Sequence, residues 1–468
     1  MFGLSLALVL ISWLAHQGSL ALPLLSTLHL DSQAVAWTVF IAVVAAALFG
    51  LAPGFRMAMV NLQETLKDSG PGAGLGRKNE RIRSVLVISE VALACVLLVG
   101  AGLLLRSFLK VLDIDLGFRP DQSASIKVEY DDSAPKDEAS TAKRSAIFQQ
   151  ILAKVSALPG VEAAGMGDYL PLGQNRAWGS LIPKGRTYPP GTVPGPLVYV
   201  VTPGFIRAMG IRLHGRDFTW SDTLQSQKVI LINASAARFY WPNEDAVGKV
   251  LMGGDTALTV VGVVDDVHED SLEGEPGWQV YYPATQTGPN GAQLVVRSSL
   301  PPAQLGGSIL HALRELNPNQ PSAEFRPLRT IVDRAGSPRR FFMLLVSGFA
   351  ALGLMLAALG IYGVISYSVT RQKQEIGVRM ALGASTGLIQ RSVLLDTLRL
   401  ALGGIAVGTM ASIASARLIS SLLFATSPWD AVTYLSMALT LVFIALLSAY
   451  LPALRASRIN PMSALRSD

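Results

Sequence analysis

Along the chain, long apolar runs bracket one long stretch whose apolar and polar positions alternate as they do in soluble domains. Residues 84–105 (SVLVISEVALACVLLVGAGLLL) are almost uniformly apolar, and so are residues 341–367. A helix rises about 1.5 Å per residue and a hydrocarbon core of roughly 30 Å needs about 20 apolar residues, so each run is long enough to cross a bilayer. Four further apolar stretches stand at 1–15, 34–52, 394–418 and 434–451. The first has the length of a signal peptide but neither a basic n-region nor a convincing cleavage site. Six transmembrane helices follow from this pattern, with residues 106–338 forming a polar block held at both ends.

Inside the block the period changes. A strand is expected at 123–130, an amphipathic helix at about 140–158 and a strand from Val161. A second set follows near the far end: a strand at 293–297, a helix at about 302–316 and a strand near 323–326. Two β-α-β units at the two ends predict a split βαβ subdomain whose middle, about 176–283, is an insertion. That insertion has strands of its own at 197–201, 228–233 and 258–264. The predicted fold class is a membrane α-helical bundle with an α+β extracytoplasmic domain.

Charge supplies the orientation. The chain carries 39 basic and 33 acidic residues, of which the block 106–338 holds 22 and 24. The positive excess therefore lies beside the apolar runs, and no basic domain is present to bind nucleic acid. Segment 54–83 carries Arg56, Lys67, Arg77, Lys78, Arg81 and Arg83; segment 368–392 carries Arg371, Lys373, Arg379 and Arg391; the tail carries Arg455, Arg458 and Arg466. Segments 16–33 and 419–433 carry none. These alternate along the chain, so one arrangement satisfies every loop: basic segments in the cytoplasm, bare segments and the block outside. Cys95, the single cysteine, lies in an apolar run and reads as a small buried hydrophobe.

The chain also repeats at an offset of 399 residues. Pro53, Arg56, Asn61, Leu66 and Lys67 match Pro452, Arg455, Asn460, Leu465 and Arg466, and in the bare loops Thr27 and Asp31 match Thr426 and Asp430. Loops, runs and tails in one register point to a duplicated unit. On this reading residues 1–53 are two spans left from a first unit, 54–83 a cytoplasmic linker, 84–105 the next span, and 106–338 with 339–468 the rest of a second unit.

These features, with GIYGVISYSVTRQKQEIGVRMALGA at 360–384, PGVEAAG at 159–165, VTPGFIRAMGI at 201–211 and VVGVVDDV at 260–267, resemble the MacB/FtsX-like permeases of ABC transporters, in particular the duplicated type. The resemblance implies four spans per unit, a periplasmic domain with a porter-like subdomain, and a bacterial inner-membrane, multi-pass location. It also implies partners: an ABC ATPase subunit docking from the cytoplasm, membrane lipid, a homodimer or second permease unit, and a periplasmic adaptor. ATP would be bound by the partner, with no cofactor held by this chain.

Segment 371–385 (RQKQEIGVRMALGAS) is the candidate coupling helix. Ile376, Met380 and Ala384 recur at i+4, a ridge suited to a partner's groove or to the lipid interface. By resemblance, Gln374, Glu375, Ile376, Arg379 and Met380 are the expected ATPase contacts. Glu90 is a carboxylate inside an apolar run, which suits either a proton or ion relay or a helix–helix hydrogen bond. Gly404 and Gly408 form a GxxxG, and Gly353 and Gly360 lie in the preceding run; small residues let helices approach closely. Asp265, Asp266, His268, Glu269 and Asp270 look like a metal cluster but read more simply as a solvated turn after a strand, and no metal site is expected. The block 106–338 has no G-x-S-x-G elbow to pair with His214, His268 or His311, and the chain has no G-x-x-x-x-G-K-[ST], so no catalytic residues and no ATPase of its own are expected. The leading expectation is a permease that turns ATP hydrolysis by a partner into motion of the periplasmic domain, most simply for efflux. The alternative is a membrane sensor or scaffold that regulates a periplasmic partner such as a cell-wall hydrolase.

Overall fold

A computed structural model describes residues 33, 35–44, 46–47, 75–129, 137–173, 175, 180–189, 192, 195–269, 271–288, 291–321 and 325–458. The described residues divide into two compact units, one made of those between 33 and 112 together with 339–458, the other of those between 113 and 338. Of the expected spans, 1–15 lies outside the described residues, and 34–52 is described only in part, as a short apolar helix at Val35–Val44.

Among the described residues, four helices are long and apolar enough to cross a membrane. They lie within α1 (Leu75–Leu112), α6 (Arg329–Arg371), α8 (Thr386–Ala416) and α9 (Ala431–Ser457), with the short α7 (Lys373–Ala381) between α6 and α8. Helix α1 runs two turns beyond the apolar stretch read from the sequence, carrying Arg106 and Lys110 as helical residues. The core packs α1, α8 and α9 together through Val91, Ala94, Cys95, Leu103, Ala401, Ile405, Leu441, Ala445 and Ala449.

The second unit is an α/β domain built on one eleven-stranded sheet. Strands β1 (Ser123–Lys127), β2 (Val161–Gly167), β10 (Gln293–Ser298) and β11 (Arg326–Pro327) lie in the order β11-β1-β10-β2, all antiparallel. Two β-α-β units interleave to give that order, through helices α2 (Glu138–Ser156) and α5 (Pro302–Leu316). Helix α2 starts where the Asp137 side chain accepts from the Ser140 amide at 2.8 Å, a standard N-cap. It buries Thr141, Arg144, Phe148, Ile151, Leu152 and Val155, one stripe at helical spacing. Helix α5 opens on Pro302, whose missing N–H costs nothing in a first turn, and buries Leu305, Ile309, Ala312 and Leu313. Both stripes meet Ile126, Met166, Leu294 and Val296 of the sheet. Phe148→Ala would remove about 3–5 kcal/mol from that core.

The remaining strands are β3 (Ile182–Pro183), β4 (Leu197–Val201), β5 (Leu213–Gly215), β6 (Val229–Asn233), β7 (Val250–Gly253), β8 (Thr256–Val264) and β9 (Gln279–Pro283), with helices α3 (Phe205–Met209) and α4 (Ala234–Tyr240). Sequence reading separates these as an insertion. The structure instead joins them to the same sheet where Gly167 pairs with Val201, so the hydrogen-bond ladder passes from β2 to β4. A second core forms beneath α4 from Ile230, Ile232, Tyr240, Leu251 and Val260. The join explains two sequence motifs. The Gly165 Cα faces the backbone of Gly204 and Phe205, where any Cβ would collide, and the Thr202 hydroxyl accepts from the Met166 amide at 2.8 Å. PGVEAAG and VTPGF are thus two halves of one close approach.

Candidate functional site

Helix α7 is fixed by local geometry before any partner is considered. Helix α6 ends at Arg371, and Gln372 breaks the helical line with φ −85° and ψ 10°. At its other end Gly383 adopts φ +97°, a left-handed conformation natural only to glycine. The Gly383 amide donates to the Met380 carbonyl and the Ala384 amide to the Arg379 carbonyl, both at 3.0 Å, which is a Schellman stop. Nine residues are therefore held as one rigid turn-bounded helix.

The structure turns the expected ridge inward. Ile376 is 6 % exposed and belongs to the bundle's own core, against which Met380 and Ala384 also pack. Gln374, Glu375 and Arg379 are exposed, the last two joined as an i,i+4 ion pair at 2.5 Å. The apolar side chains that face away from the bundle are Val378 and Leu382, one turn apart, with Leu382 83 % exposed. Sequence periodicity marked the face that holds α7 in place. The outward face carries only two apolar residues, too few for a stripe, and was missed.

Along the spans, absent side chains set the contacts. A Cβ on Gly404 would stand 2.6 Å from the Val91 Cβ, and one on Gly408 2.6 Å from the Cys95 Cβ, so the GxxxG seats α8 directly on α1. Gly353 lies over Leu97 and Ala94 of α1, and the Glu90 carboxylate occupies the space where Gly360 has no side chain. Glu90 is half-buried, and no described residue hydrogen-bonds it; Ser89 instead donates to the Leu86 carbonyl of its own helix at 2.7 Å. Asp396 and Arg399, three residues apart on α8, form an ion pair at 3.0 Å.

Polar clasps close the two ends of the bundle. At one end Arg106 pairs with Asp430, Lys110 donates to the Ala425 carbonyl, and Ser107 Oγ accepts from the Phe424 amide at 2.8 Å and from Arg339 at 3.3 Å. Asp430 also caps α9 by accepting from the Thr433 amide at 2.9 Å. At the other, the Arg83 guanidinium lies 3.7 Å from the centroid of the Tyr367 ring, and Arg455 donates to the Tyr362 hydroxyl at 3.1 Å.

The acidic run after β8 does not form a solvated turn. Asp265 pairs with Arg212 at 2.6 Å. Asp266 accepts from the Ser235 amide, the Ser235 hydroxyl, Arg238 and the Asn233 amide group, tying the strand end to the first turn of α4. Glu269 is 3 % exposed and accepts from the Tyr199 hydroxyl and the Asn175 amide. Burial, the neighbouring Tyr281 and the Glu269 carboxylate hold the Tyr199 phenol well above its ordinary range. Asp270 lies outside the described residues. Among the described residues no three His, Cys, Asp or Glu side chains converge as metal ligands; the run is a structural joint.

Known proteins match this arrangement in both units. The model of the MacB-like periplasmic core domain matches residues 84–309, and that of the FtsX-like permease C-terminal region matches 347–461. The chain belongs to the MacB/FtsX-like permease family of ABC transporters. Over 278 residues it is 27 % identical to the macrolide export ATP-binding/permease protein MacB of Hahella chejuensis, covering 56 % of this chain and 42 % of that protein. Over 281 residues it is 24 % identical to the probable syringafactin export ATP-binding/permease protein SyfD of Pseudomonas syringae pv. syringae, covering 57 % and 42 %. The chain thus spans less than half the length of these relatives. The crystal structure of the periplasmic region of MacB from Actinobacillus actinomycetemcomitans aligns with 47 % of this chain and 95 % of its own, at 17 % identity and a TM-score of 0.31.

Proposed function

We propose that this chain is the permease component of an exporter in the bacterial inner membrane, with the α/β domain in the periplasm, moved by a separate ATP-binding subunit on the cytoplasmic side. The observation that carries the reading is α7. Its inner face, Ile376 and Gly377, is buried in the bundle, while Val378, Leu382 and the Glu375–Arg379 pair face outward. A load applied to that outer face would move the bundle core instead of bending a loose connection. The relatives' names support the reading, since they join ATP-binding and permease functions in export proteins. The exposed apolar flank of α6, with Phe349, Leu352, Leu356 and Leu359, suits lipid or a second permease unit, and cargo would be handled by the periplasmic domain.

The test is the chain reconstituted in nanodiscs with its ATP-binding subunit. Leu382→Asp is expected to lower substrate-stimulated ATP hydrolysis at least about fivefold, a typical coupling magnitude, with the bundle intact. Undiminished stimulation in a fully assembled complex would refute docking at this face.

A further inference from the structure

The α/β domain carries a groove that neither the sheet nor the proposed transport cycle accounts for. It has a volume of about 460 Å³, within the usual range of small-molecule sites, and lies between the loop 168–173 and the first turns of α6. Its walls are Tyr169, Leu170, Pro171 and Leu172 on one side and Ile331 and Ala335 on the other, with Gln293 and Arg334 as polar lining. The loop wall is held in place from below. The Asp168 amide donates to the Val200 carbonyl at 3.1 Å, and its carboxylate accepts the Val200 amide at 2.9 Å. The Gly173 amide then closes a turn on the Leu170 carbonyl, with Leu172 kept at φ +61°, a conformation a branched side chain adopts only when its surroundings impose it. On the helix wall, Ile331, Arg334 and Ala335 share one face by their i,i+3,i+4 spacing.

Arg334 supplies the chemistry. Its neighbours Arg329 and Asp333 are paired with each other, and no described carboxylate lies within ion-pairing distance of the Arg334 guanidinium. The groove's other charge, Asp168, already accepts a backbone amide. We infer that this groove binds a small organic anion with an apolar body: a single carboxylate on the Arg334 guanidinium, and a ring or branched chain against Leu170, Pro171, Leu172 and Ile331. A guanidinium offers a carboxylate two parallel donors, which a neutral analogue cannot use equally. The site stands whether or not the chain works as an exporter, because no ATP-binding partner enters the argument.

The probe is 4-(trifluoromethyl)benzoate, followed by fluorine NMR on the full chain in nanodiscs, with empty nanodiscs as the blank and the neutral 4-(trifluoromethyl)benzamide as the matched control. The benzoate should bind at least about tenfold more tightly than the amide. Arg334→Gln should erase that preference, Arg334→Lys should keep part of it, and Ala335→Trp should abolish binding of both probes by filling the groove. Unfolding temperatures of the variants would identify a loss caused by misfolding, and the lysine variant tests the charge independently. Equal binding of the two probes, no binding above the blank, or a preference that survives Arg334→Gln would overturn the assignment.

Discussion

The helical bundle and the α/β domain reach close packing by opposite means. In the domain, fixed positions come from polar side chains buried and fully engaged: Asn233 is 0 % exposed, donates to Asp266 and the Gly277 carbonyl, and accepts from the amides of Ala236 and Gln279. In the bundle they come from side chains that are missing, at Gly102, Gly404 and Gly408, with polar clasps at the helix ends. The environments explain the contrast. Water surrounding a domain lets apolar burial drive folding, and buried amides and carboxylates then select one arrangement. Lipid is as apolar as a leucine side chain, so helices associate through shape, and small residues give the closest approach. Within the bundle the two helices that connect to the domain differ as well. The apolar window of α1 is 44 % buried and that of α6 only 11 %.

The largest effect that would break this contrast comes from filling a glycine seat. Gly404→Leu places atoms where Val91 and the Ile88 carbonyl already lie, and is expected to cost about 3 kcal/mol, the upper end for overpacking. Gly363, on α6, has nothing within 4 Å of its Cβ direction, so Gly363→Leu should stay within about 0.5 kcal/mol. Thermal unfolding in detergent, followed by monodispersity on size exclusion, separates the two. Equal losses at both positions would mean that the glycines of α8 are not seats at all.

In the domain the corresponding perturbation is the loss of a buried acceptor. Glu269→Ala removes the acceptor of the Tyr199 hydroxyl proton and is expected to cost about 1–3 kcal/mol. Glu269→Gln, which still accepts from the phenol, should cost less. If the glutamine variant is as damaging as alanine, the charge matters and not the hydrogen bond.

Much of this was legible from residue order, and the failures have physical causes. Helix α5 and strand β4 fall on the residues expected, because apolar period and proline placement are local signals. The seat formed by Gly404 and Gly408 follows from a motif whose meaning is steric and equally local. The face of α7 was not legible: Ile376 and Met380 form a ridge whichever body they meet, and only the tertiary fold shows that the body is their own bundle. Glu269 was misread because a carboxylate beside other carboxylates in sequence is normally solvated, while the phenol that engages it lies 70 residues away. Arg334 gave no signal, since a groove wall is a property of two distant segments.

The smallest effect concerns two carboxylates flanking Trp220 that respond to pH with opposite sign. Asp217 is pushed up by burial, against amide hydrogen bonds from Phe218 and Gly204. Burial also pushes Asp222 up, but the bidentate Arg216 contact at 2.9 Å and the Thr219 amide outweigh it and hold Asp222 below the usual carboxylate range. Asp222 therefore contributes stability that is complete above its unfolded value of about 3.9 and is lost as pH falls through its lower folded value. Asp217 contributes in the reverse sense: its share is complete below about 3.9 and is lost as pH rises through its higher folded value. Unfolding temperatures at pH 7 and pH 3, read by tryptophan fluorescence, resolve the pair. Asp222→Asn should lose less stability than the parent between those values, and Asp217→Asn should lose more. Shifts of the same sign would show that the Arg216 contact does not govern Asp222, and that burial alone sets the charge state of both.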